Sequence, residues 1–318
     1  MSKTGRIIIA SVLILPLLLL ASCKGKPAGA VNSKTKLIIK SSYMNTPLFL
    51  AGTVLEGLIN YNTNLLSINE PESVSSNDKI KAIMDGSADV AFISGPAGYM
   101  AFNGHPSYWD TPQGIRSLFG IFPTVFTGFT HDDKNIKKIS DLIGHTIALD
   151  KKGSVSGDLL LYFLKLNGIN ESNTKIFRVE QGEGERLFSD GFVDFIWYSD
   201  SYKKYSMTKV PFTENDKLRE FLSVYPVFYT EAVSPDGDTE SDKIGRVFAS
   251  STFLACSEDM DDETAYLIVK TWFENIDYIK NFFPNYNENN AKVYLERRVP
   301  VPMHPGAERY FREVGLLN

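Results

Sequence analysis

Two stretches of the chain repeat one pattern of apolar and polar positions. In Ile80–Gly98, helix-spaced apolar residues end at Gly86, and the short apolar run Ala88–Ile93 follows. Glu185–Asp200 repeats this order, with Phe192–Trp197 as its apolar run. A short run that is apolar throughout predicts a strand buried on both faces, as in a parallel sheet. Because small or polar residues follow each strand, and open α/β sheets bind ligands at the carboxyl ends of their strands, the pattern predicts two lobes with a binding cleft.

The elements around these stretches alternate in the same way. Further predicted strands are Lys36–Lys40, Leu65–Ile68, Thr146–Leu149, Lys175–Val179 and Val247–Leu254, and predicted helices begin at or just after Pro47, Asn77, Gly157 and Asp262. Strands that alternate with helices indicate an α/β fold with a mostly parallel sheet in each lobe. The long apolar segment Ile115–Phe129 is predicted to be a strand that crosses between the lobes.

The amino-terminal segment has the order of an export signal. Lys3 and Arg6 precede the apolar run Ile7–Ala21, which is too short to span a bilayer comfortably and leads into Leu20–Cys23, a sequence that resembles the bacterial lipobox. We therefore predict a signal peptide at residues 1–22, lipidation of Cys23 and a flexible tether over residues 23–35. A plain signal peptide and an anchor helix are the alternatives. The lipidated protein would hang from a bacterial membrane, in the periplasm or at the cell surface.

Composition and charge exclude several classes of function. The formal net charge is −5 and no basic run exceeds two residues, which argues against a nucleic-acid surface and a polybasic membrane patch. The four histidines include no pair at metal-ligand spacing on a helix, and the two cysteines form no CxxC motif, so neither a metal nor another cofactor is predicted. Cys256 lies in an apolar run and is expected to be buried and inert.

No motif predicts catalysis. The segment Gly153–Gly157 is similar to a nucleophile elbow, but its centre is Val155, where that motif needs serine. P-loop and GxGxxG sequences do not occur. Asp89 and Asp194 each precede a strand and therefore lie at the edge opposite a binding site. The sequence predicts a binding protein and not an enzyme, with an enzyme on the same fold as the alternative.

The loop after the strand Thr146–Leu149 offers a candidate ligand site. Lys152, Gly153, Ser154 and Ser156 lie at a helix amino terminus, whose free N–H groups suit an anion such as a carboxylate. The alternative is that a serine only caps its own helix.

Two tyrosines follow strands of opposite lobes. Tyr43 and Tyr198 have the pattern expected for the aromatic walls of a small-molecule pocket, which ordinary half-buried tyrosines share.

Six segments, taken in order, resemble the TAXI-type solute receptors of tripartite ATP-independent periplasmic (TRAP) transporters. They are Glu72–Val74, Asp85–Asp89, Ile139–Leu149 with Gly153–Ser154, Asp190–Asp194, Asp262–Ile276 and Val301–Gly315. The last segment, with its histidine-proline-glycine-alanine turn, is the most specific, and the order holds from about residue 36 to the end. Two loops depart from the family pattern, since Ser41–Thr46 lacks glycine and Asp150–Lys152 is more basic.

This resemblance implies a two-lobed type II periplasmic binding fold that closes on a small organic anion. Lobe I would comprise residues 36–123 and 255–318, and lobe II residues 124–254. The expected ligand-binding residues are Ser41, Ser42, Tyr43, Ser73, Ser94, Gly95, Pro96, Lys152, Gly153, Ser154, Ser156 and Tyr198.

The implied function is that of a lipid-anchored, extracytoplasmic solute-binding protein. It would capture a dicarboxylate or amino-acid-like anion and deliver it to a TRAP-type permease. The alternatives are a receptor for an ABC importer of sulfonates or thiamine precursors, and a sensory or structural surface lipoprotein that has lost transport.

Overall fold

The computed structural model describes residues 36–42, 44, 46–71, 75–199, 207–211, 215–233, 245–284, 286 and 299–317. The predicted signal peptide, the lipidation site Cys23, the tether and the predicted ligand contacts Tyr43 and Ser73 lie outside these residues. Thr35–Asn318 forms one compact unit that contains both sheets and their packed cores, so it can be produced on its own. Within the part of the chain that the structure describes, no helix combines the length and apolar character needed to cross a membrane.

Strands and helices alternate along most of the described chain. The first part contains β1 (Lys36–Lys40), α1 (Pro47–Asn62), β2 (Leu66–Glu70), α2 (Ser76–Met84), β3 (Val90–Ser94), α3 (Gly95–Phe102) and β4 (Ile115–Gly120). The middle part contains β5 (Thr124–His131), β6 (Thr146–Asp150), α4 (Val155–Leu166), β7 (Lys175–Val179), α5 (Gln181–Ser189), β8 (Phe195–Ser199), β9 (Met207–Val210), α6 (Asp216–Val224), β10 (Phe228–Val233) and β11 (Gly245–Ser250). The last part contains β12 (Thr252–Ser257), α7 (Asp262–Phe273), α8 (Ile276–Ile279) and α9 (Pro305–Glu313).

These strands form two sheets. The first has the order β2-β1-β3-β12-β4, and the second has the order β10-β11-β5-β8-β6-β7, with β9 paired to β5. The strands β1, β2 and β3 are parallel, as are β6, β7 and β8, and the other pairs are antiparallel. We call each sheet with its flanking helices a lobe. The predicted α/β class with two sheets and flanking helices is confirmed.

Local sequence explains where the first helices start. Ser75 caps α2 in a capping box, because its hydroxyl accepts the N–H of Asp78 at 3.2 Å and the Asp78 carboxylate accepts the N–H of Ser75 at 3.3 Å. The cap thus lies two residues before Asn77, at or just after which the sequence predicts this helix to begin. Thr46 caps α1 by accepting the N–H of Phe49 at 3.2 Å, and a proline follows it, where a missing N–H costs no hydrogen bond.

Within the described ranges the chain passes between the sheets twice, and the two crossings lie side by side. The hydroxyl oxygens of Thr124 and Thr252, one from each crossing, are 2.6 Å apart. The predicted strand Ile115–Phe129 is two strands, β4 in the first sheet and β5 in the second. The predicted strand Val247–Leu254 is likewise divided into β11 and β12. The apolar pattern does not reveal these breaks because the strands on both sides of each crossing are largely buried.

Two large apolar clusters stabilise the lobes. One packs α1 and α7 against the first sheet and includes Trp272, whose side chain is fully buried. The other continues from Met100 and Ala101 of α3 in the first lobe to Leu160 and Phe163 of α4 in the second. The lobes are therefore joined by an apolar contact as well as by the crossings.

The carboxyl-terminal turn has a packing role. The Nδ1 atom of His304 accepts the N–H of Gly306 at 3.2 Å, and its Nε2 atom lies 3.0 Å from the carbonyl oxygen of Met260, which it meets as a donor. A Cβ on Gly306 would lie 2.2 Å from the carbonyl oxygen of Asp262. Only glycine therefore allows α9 to approach the start of α7 this closely.

Candidate functional site

The predicted contacts after β1 lie between that strand and α1. Ser41 is fully buried, and its hydroxyl has no hydrogen-bond partner among the described residues. It packs against Gly52 of α1, where an added Cβ would lie 2.6 Å from both the Cβ of Ser41 and the Oδ1 of Asn69. Ser42 is partly exposed. At this strand end, Ser42 keeps accessible surface whereas Ser41 is enclosed by the helix.

The predicted contacts after β3 meet the second crossing. The N–H of Gly95 donates to the carbonyl oxygen of Ser251 at 2.7 Å, and a Cβ on Gly95 would lie 2.6 Å from the Ser251 hydroxyl. Gly95 and Pro96 are both buried, whereas Ser94 is partly exposed. The N–H of Ser94 donates to the Ser76 hydroxyl at 3.2 Å, which ties the end of β3 to α2. Glycine at position 95 is thus explained by its close packing against Ser251, and Ser94 is accessible to a ligand.

The loop between β6 and α4 brings four predicted contacts together. Ser154 stands at the N-cap position, but its hydroxyl donates to the Asp150 carboxylate at 3.3 Å and does not cap the helix. Lys152 is exposed, and no ion pair of it occurs within the described ranges. The four residues at this helix start are Lys152, Gly153, Ser154 and Ser156. Gly153 has a φ of 86°, a left-handed conformation that favours glycine.

A partly buried ion pair braces this loop. The guanidinium of Arg178 on β7 donates to Oδ1 of Asp158 on α4 at 2.5 Å. The same guanidinium donates to the main-chain oxygens of Asp150 and Lys151 at 2.5 and 3.0 Å. The second carboxylate oxygen of Asp158 accepts the N–H of Gly153 at 3.2 Å. Two residues that the sequence analysis did not single out, Asp158 and Arg178, therefore fix the shape of the loop.

A small pocket lies at the carboxyl edge of the second sheet, beside α5. Its lining consists of Ala148, Leu149, Asp150, Val179, Glu180, Gly184, Ile196 and Trp197. Burial raises the pKa of Asp150, although the Ser154 hydroxyl and Arg178 act in the opposite direction. Lys151 forms an ion pair with Glu180 at 2.9 Å. The positive charge of the Asp150–Lys152 loop is thus offset by the neighbouring carboxylates of Asp150 and Glu180.

The two carboxylates of this pocket were missed by the sequence analysis. Asp150 ends β6 and Glu180 directly follows β7, so both occupy the edge that the strand pattern had identified. The rule that selected Tyr198, which was predicted to follow a strand ending at Trp197, would have found them. Tyr198 lies within β8, opposite Thr127 of β5, and its side chain is outside what the structure describes, as is Asp200.

Comparisons with known proteins identify one family and several solved structures that are similar to this chain. A model of the NMT1-like family matches residues 48–315 of the chain. The effector-binding domain of a BenM variant superimposes with a TM-score of 0.50 at 12% sequence identity, covering 77% of this chain and 96% of that chain. The alkanesulfonate-binding protein SsuA from Xanthomonas axonopodis pv. citri, bound to MOPS, gives 0.43 at 14% identity, covering 87% of this chain and 83% of that one. The periplasmic aliphatic sulphonate binding protein SsuA from Escherichia coli gives 0.43 at 16% identity, covering 88% and 84%. The likeness to the BenM domain shows the α/β fold.

Proposed function

We propose, because the chain belongs to the NMT1-like family, that this protein is an extracytoplasmic solute-binding protein that captures a small organic molecule between its lobes. The observation that carries the proposal is the position of the β6–α4 loop, which presents Lys152 and Ser156 at the carboxyl edge of the second sheet, next to a small pocket. In open α/β sheets this edge is the position at which ligands bind.

Contacts between the lobes support a ligand site that both lobes share. The Glu180 carboxylate raises the pKa of Lys151 most strongly, and the carboxylate of Asp78, at the start of α2 in the first lobe, raises it further. The helices α3 and α4, one from each lobe, also belong to one apolar cluster. Ser94 is tied to the same end of α2 through Ser76.

The ligand class that we propose is a small organic anion. Lys152 is exposed at the amino terminus of α4, where main-chain N–H groups and two serine hydroxyls are close to it. The family match favours a receptor for an ABC importer of the sulfonate or thiamine-precursor type. The match does not confirm the TAXI-type resemblance, and a TRAP-type permease remains the second candidate because of segments such as Val301–Gly315. Lipidation of Cys23 would hold the receptor at the membrane that contains its transporter.

A thermal-shift screen of Thr35–Asn318 tests this proposal. The compounds are alkanesulfonates including MOPS, dicarboxylates, amino acids and aminopyrimidines. A ligand at a hundred times its dissociation constant stabilises the folded state by about 2.7 kcal/mol, which raises the melting temperature by several degrees. A sulfonate or aminopyrimidine hit supports the ABC-type receptor, and a dicarboxylate hit supports the TRAP-type receptor.

Matched variants locate the site in the same screen. Lys152→Ala should weaken the shift caused by an anionic hit, whereas Lys217→Ala, which removes an exposed lysine on α6, should not change it. No shift with any compound, in protein shown to be free of co-purified ligand, would contradict the proposed function. An equal loss in both variants would place the site away from the β6–α4 loop.

A further inference from the structure

One side chain of the first lobe forms a hydrogen bond with the second lobe beside the candidate site. Tyr108 lies between α3 and β4, and its hydroxyl donates to Oδ2 of Asp158 on α4 at 3.2 Å. The Tyr108 ring is partly buried against the apolar cluster that the two lobes share. Burial, reinforced by the Asp158 charge, raises the pKa of Tyr108, so the phenol stays protonated and able to donate.

The acceptor of this bond is the carboxylate that braces the β6–α4 loop. Oδ2 of Asp158 accepts from Tyr108 and from the N–H of Gly153, and Oδ1 accepts from Arg178. The guanidinium of Arg178 in turn donates to two main-chain oxygens of the loop, those of Asp150 and Lys151. One carboxylate thus receives a donor from the opposite lobe, a donor from the loop and the cation that orders the loop.

The loop has little room in which to move independently of Asp158. Gly157 lies one residue before Asp158, and a Cβ on it would lie 2.8 Å from both the Cβ and the carbonyl oxygen of Asp150. Gly153 holds a left-handed φ of 86°. Because the loop is packed this tightly on α4, a displacement of the Asp158 carboxylate is transmitted to Lys152, Gly153 and Ser154.

We propose that Tyr108 is a positioning residue that couples the approach of the two lobes to the order of the β6–α4 loop. When the lobes are close, its hydroxyl completes the set of donors around Asp158 and the loop is held in its binding geometry. When the lobes separate, Asp158 loses this donor and the loop relaxes. The role of the loop in ligand binding rests on the proposed function, whereas the coupling between Tyr108 and the loop does not.

A tyrosine pair in the chain provides a test with a matched control. Tyr108→Phe removes only the hydroxyl that joins the lobes. Tyr266→Phe removes a hydroxyl that donates to Glu313 at 2.8 Å, which is also a tyrosine–carboxylate bond but lies wholly within the first lobe, between α7 and α9. Both variants are made in Thr35–Asn318, in which Cys256 is buried and unreactive towards labels. Spin labels are placed at Asn64→Cys and Ser189→Cys, two exposed positions in opposite lobes.

Two measurements on the ligand-free protein decide the question. Electron–electron double resonance should give a broader distribution of label distances in Tyr108→Phe than in the parent protein. Hydrogen exchange of the amides in residues 151–157 should become faster in the same variant, by about tenfold if the bond has the strength usual for a hydrogen bond to a charged group. Tyr266→Phe should leave both measurements unchanged.

Unchanged distances and unchanged exchange in Tyr108→Phe would overturn the proposal, and so would an equal change in Tyr266→Phe. Faster exchange without a change in distance would also overturn it, because the hydroxyl would then stabilise the loop without reporting on the lobes. Neither measurement uses a ligand, so a failed thermal-shift screen would count against the proposed function alone.

Discussion

The helix–glycine–aspartate–strand unit occurs once in each lobe, and the two copies can be compared residue by residue at the amino ends of their strands. The carboxylate of Asp89 accepts the N–H of Ile38 at 2.6 Å, and the carboxylate of Asp194 accepts the N–H of Thr146 at 3.0 Å. In each copy the N–H of the aspartate donates to the carbonyl oxygen of the same partner. Each aspartate therefore joins the strand that follows it to the neighbouring parallel strand.

The copies differ in the charges around this carboxylate. Asp194 also accepts the Thr146 hydroxyl at 2.8 Å and forms an ion pair with Lys134 at 2.9 Å, and Nδ1 of His145 lies 3.4 Å away. Burial on its own raises the pKa of Asp194, but the hydrogen bonds from Lys134 and Thr146 outweigh it and hold that pKa well below the usual range. The repeated sequence pattern fixes where the aspartate lies, and residues from outside the pattern determine how much it contributes.

The largest expected effect tests this difference directly. Asp194→Asn should lower the free energy of unfolding by about 3 kcal/mol, because it removes the charge from the carboxylate that accepts the N–H and hydroxyl of Thr146 and pairs with Lys134. Asp89→Asn should cost about 1 kcal/mol, because the amide oxygen can still accept from Ile38. Urea unfolding of Thr35–Asn318 measures both. Equal costs would show that the surrounding charges add nothing.

The pH dependence should separate the charge from the shape of Asp194. Its folded-state pKa lies below the ordinary value of 3.8, so its charge stabilises the protein above that value and this contribution is lost as the pH falls further. The difference in unfolding free energy between the parent protein and Asp194→Asn should be fully present at about pH 5 and shrink below about pH 4. Denaturant titrations across this range provide the measurement. A difference that persists in acid would assign the effect to packing.

The carboxyl end of β3, the repeated strand of the first lobe, is held at the second crossing. The first copy runs from β3 directly into α3 at Gly95, which is packed against Ser251 at the crossing. Gly95→Ala should cost about 2 kcal/mol, since the added methyl meets the Ser251 hydroxyl and main chain and both belong to a fixed crossing. Gly57→Ala is the control, because an added Cβ there meets no atom within 4 Å and α1 should gain stability. Calorimetry would compare the two variants. A Gly95→Ala variant as stable as the parent protein would show that the crossing shifts to accommodate the methyl group.

The smallest effect should be the same in both copies. Gly86 and Gly191 follow the helices of the repeat with φ values of 76° and 74°, and a Cβ at either position meets no atom within 4 Å. Alanine at each position should therefore cost about 1 kcal/mol, from backbone conformation alone. Thermal unfolding of the two variants checks this. Clearly unequal costs would mean that the two helix ends are not equivalent.

The elements that the sequence predicts well are those with local causes. The repeated unit was found because a helical spacing, a left-handed glycine and an apolar strand all occur within 20 residues. The divided strands were missed, because apolar patterning records burial and the chain is largely buried on both sides of each crossing. Pro123, which cannot donate to a strand ladder, was the local sign of the first crossing.

The candidate site depended more on distant residues. The pattern correctly located the edge at which Lys152, Gly153, Ser154 and Ser156 meet. It did not predict that Ser154 would bond Asp150, or that Arg178, 24 residues after Ser154, would brace the loop. Such pairings arise from the parallel register of β6 and β7, in which Leu149 lies opposite Arg178. The register depends on the whole sheet, so the sequence of one segment alone does not predict it.

The place of β12 in the first sheet has a consequence for the order in which the molecule is completed. β12 separates β3 from β4, and Ser117 of β4 donates its N–H to the carbonyl oxygen of Pro302. The first sheet is therefore incomplete until β12 and Pro302, which follow the second lobe in the chain, have been synthesised. During synthesis, strands β1 to β4 are made long before β12, and contacts between segments so distant in sequence form slowly. If the protein is exported as proposed, slow completion of the first sheet would leave more time for the unfolded chain to cross the membrane.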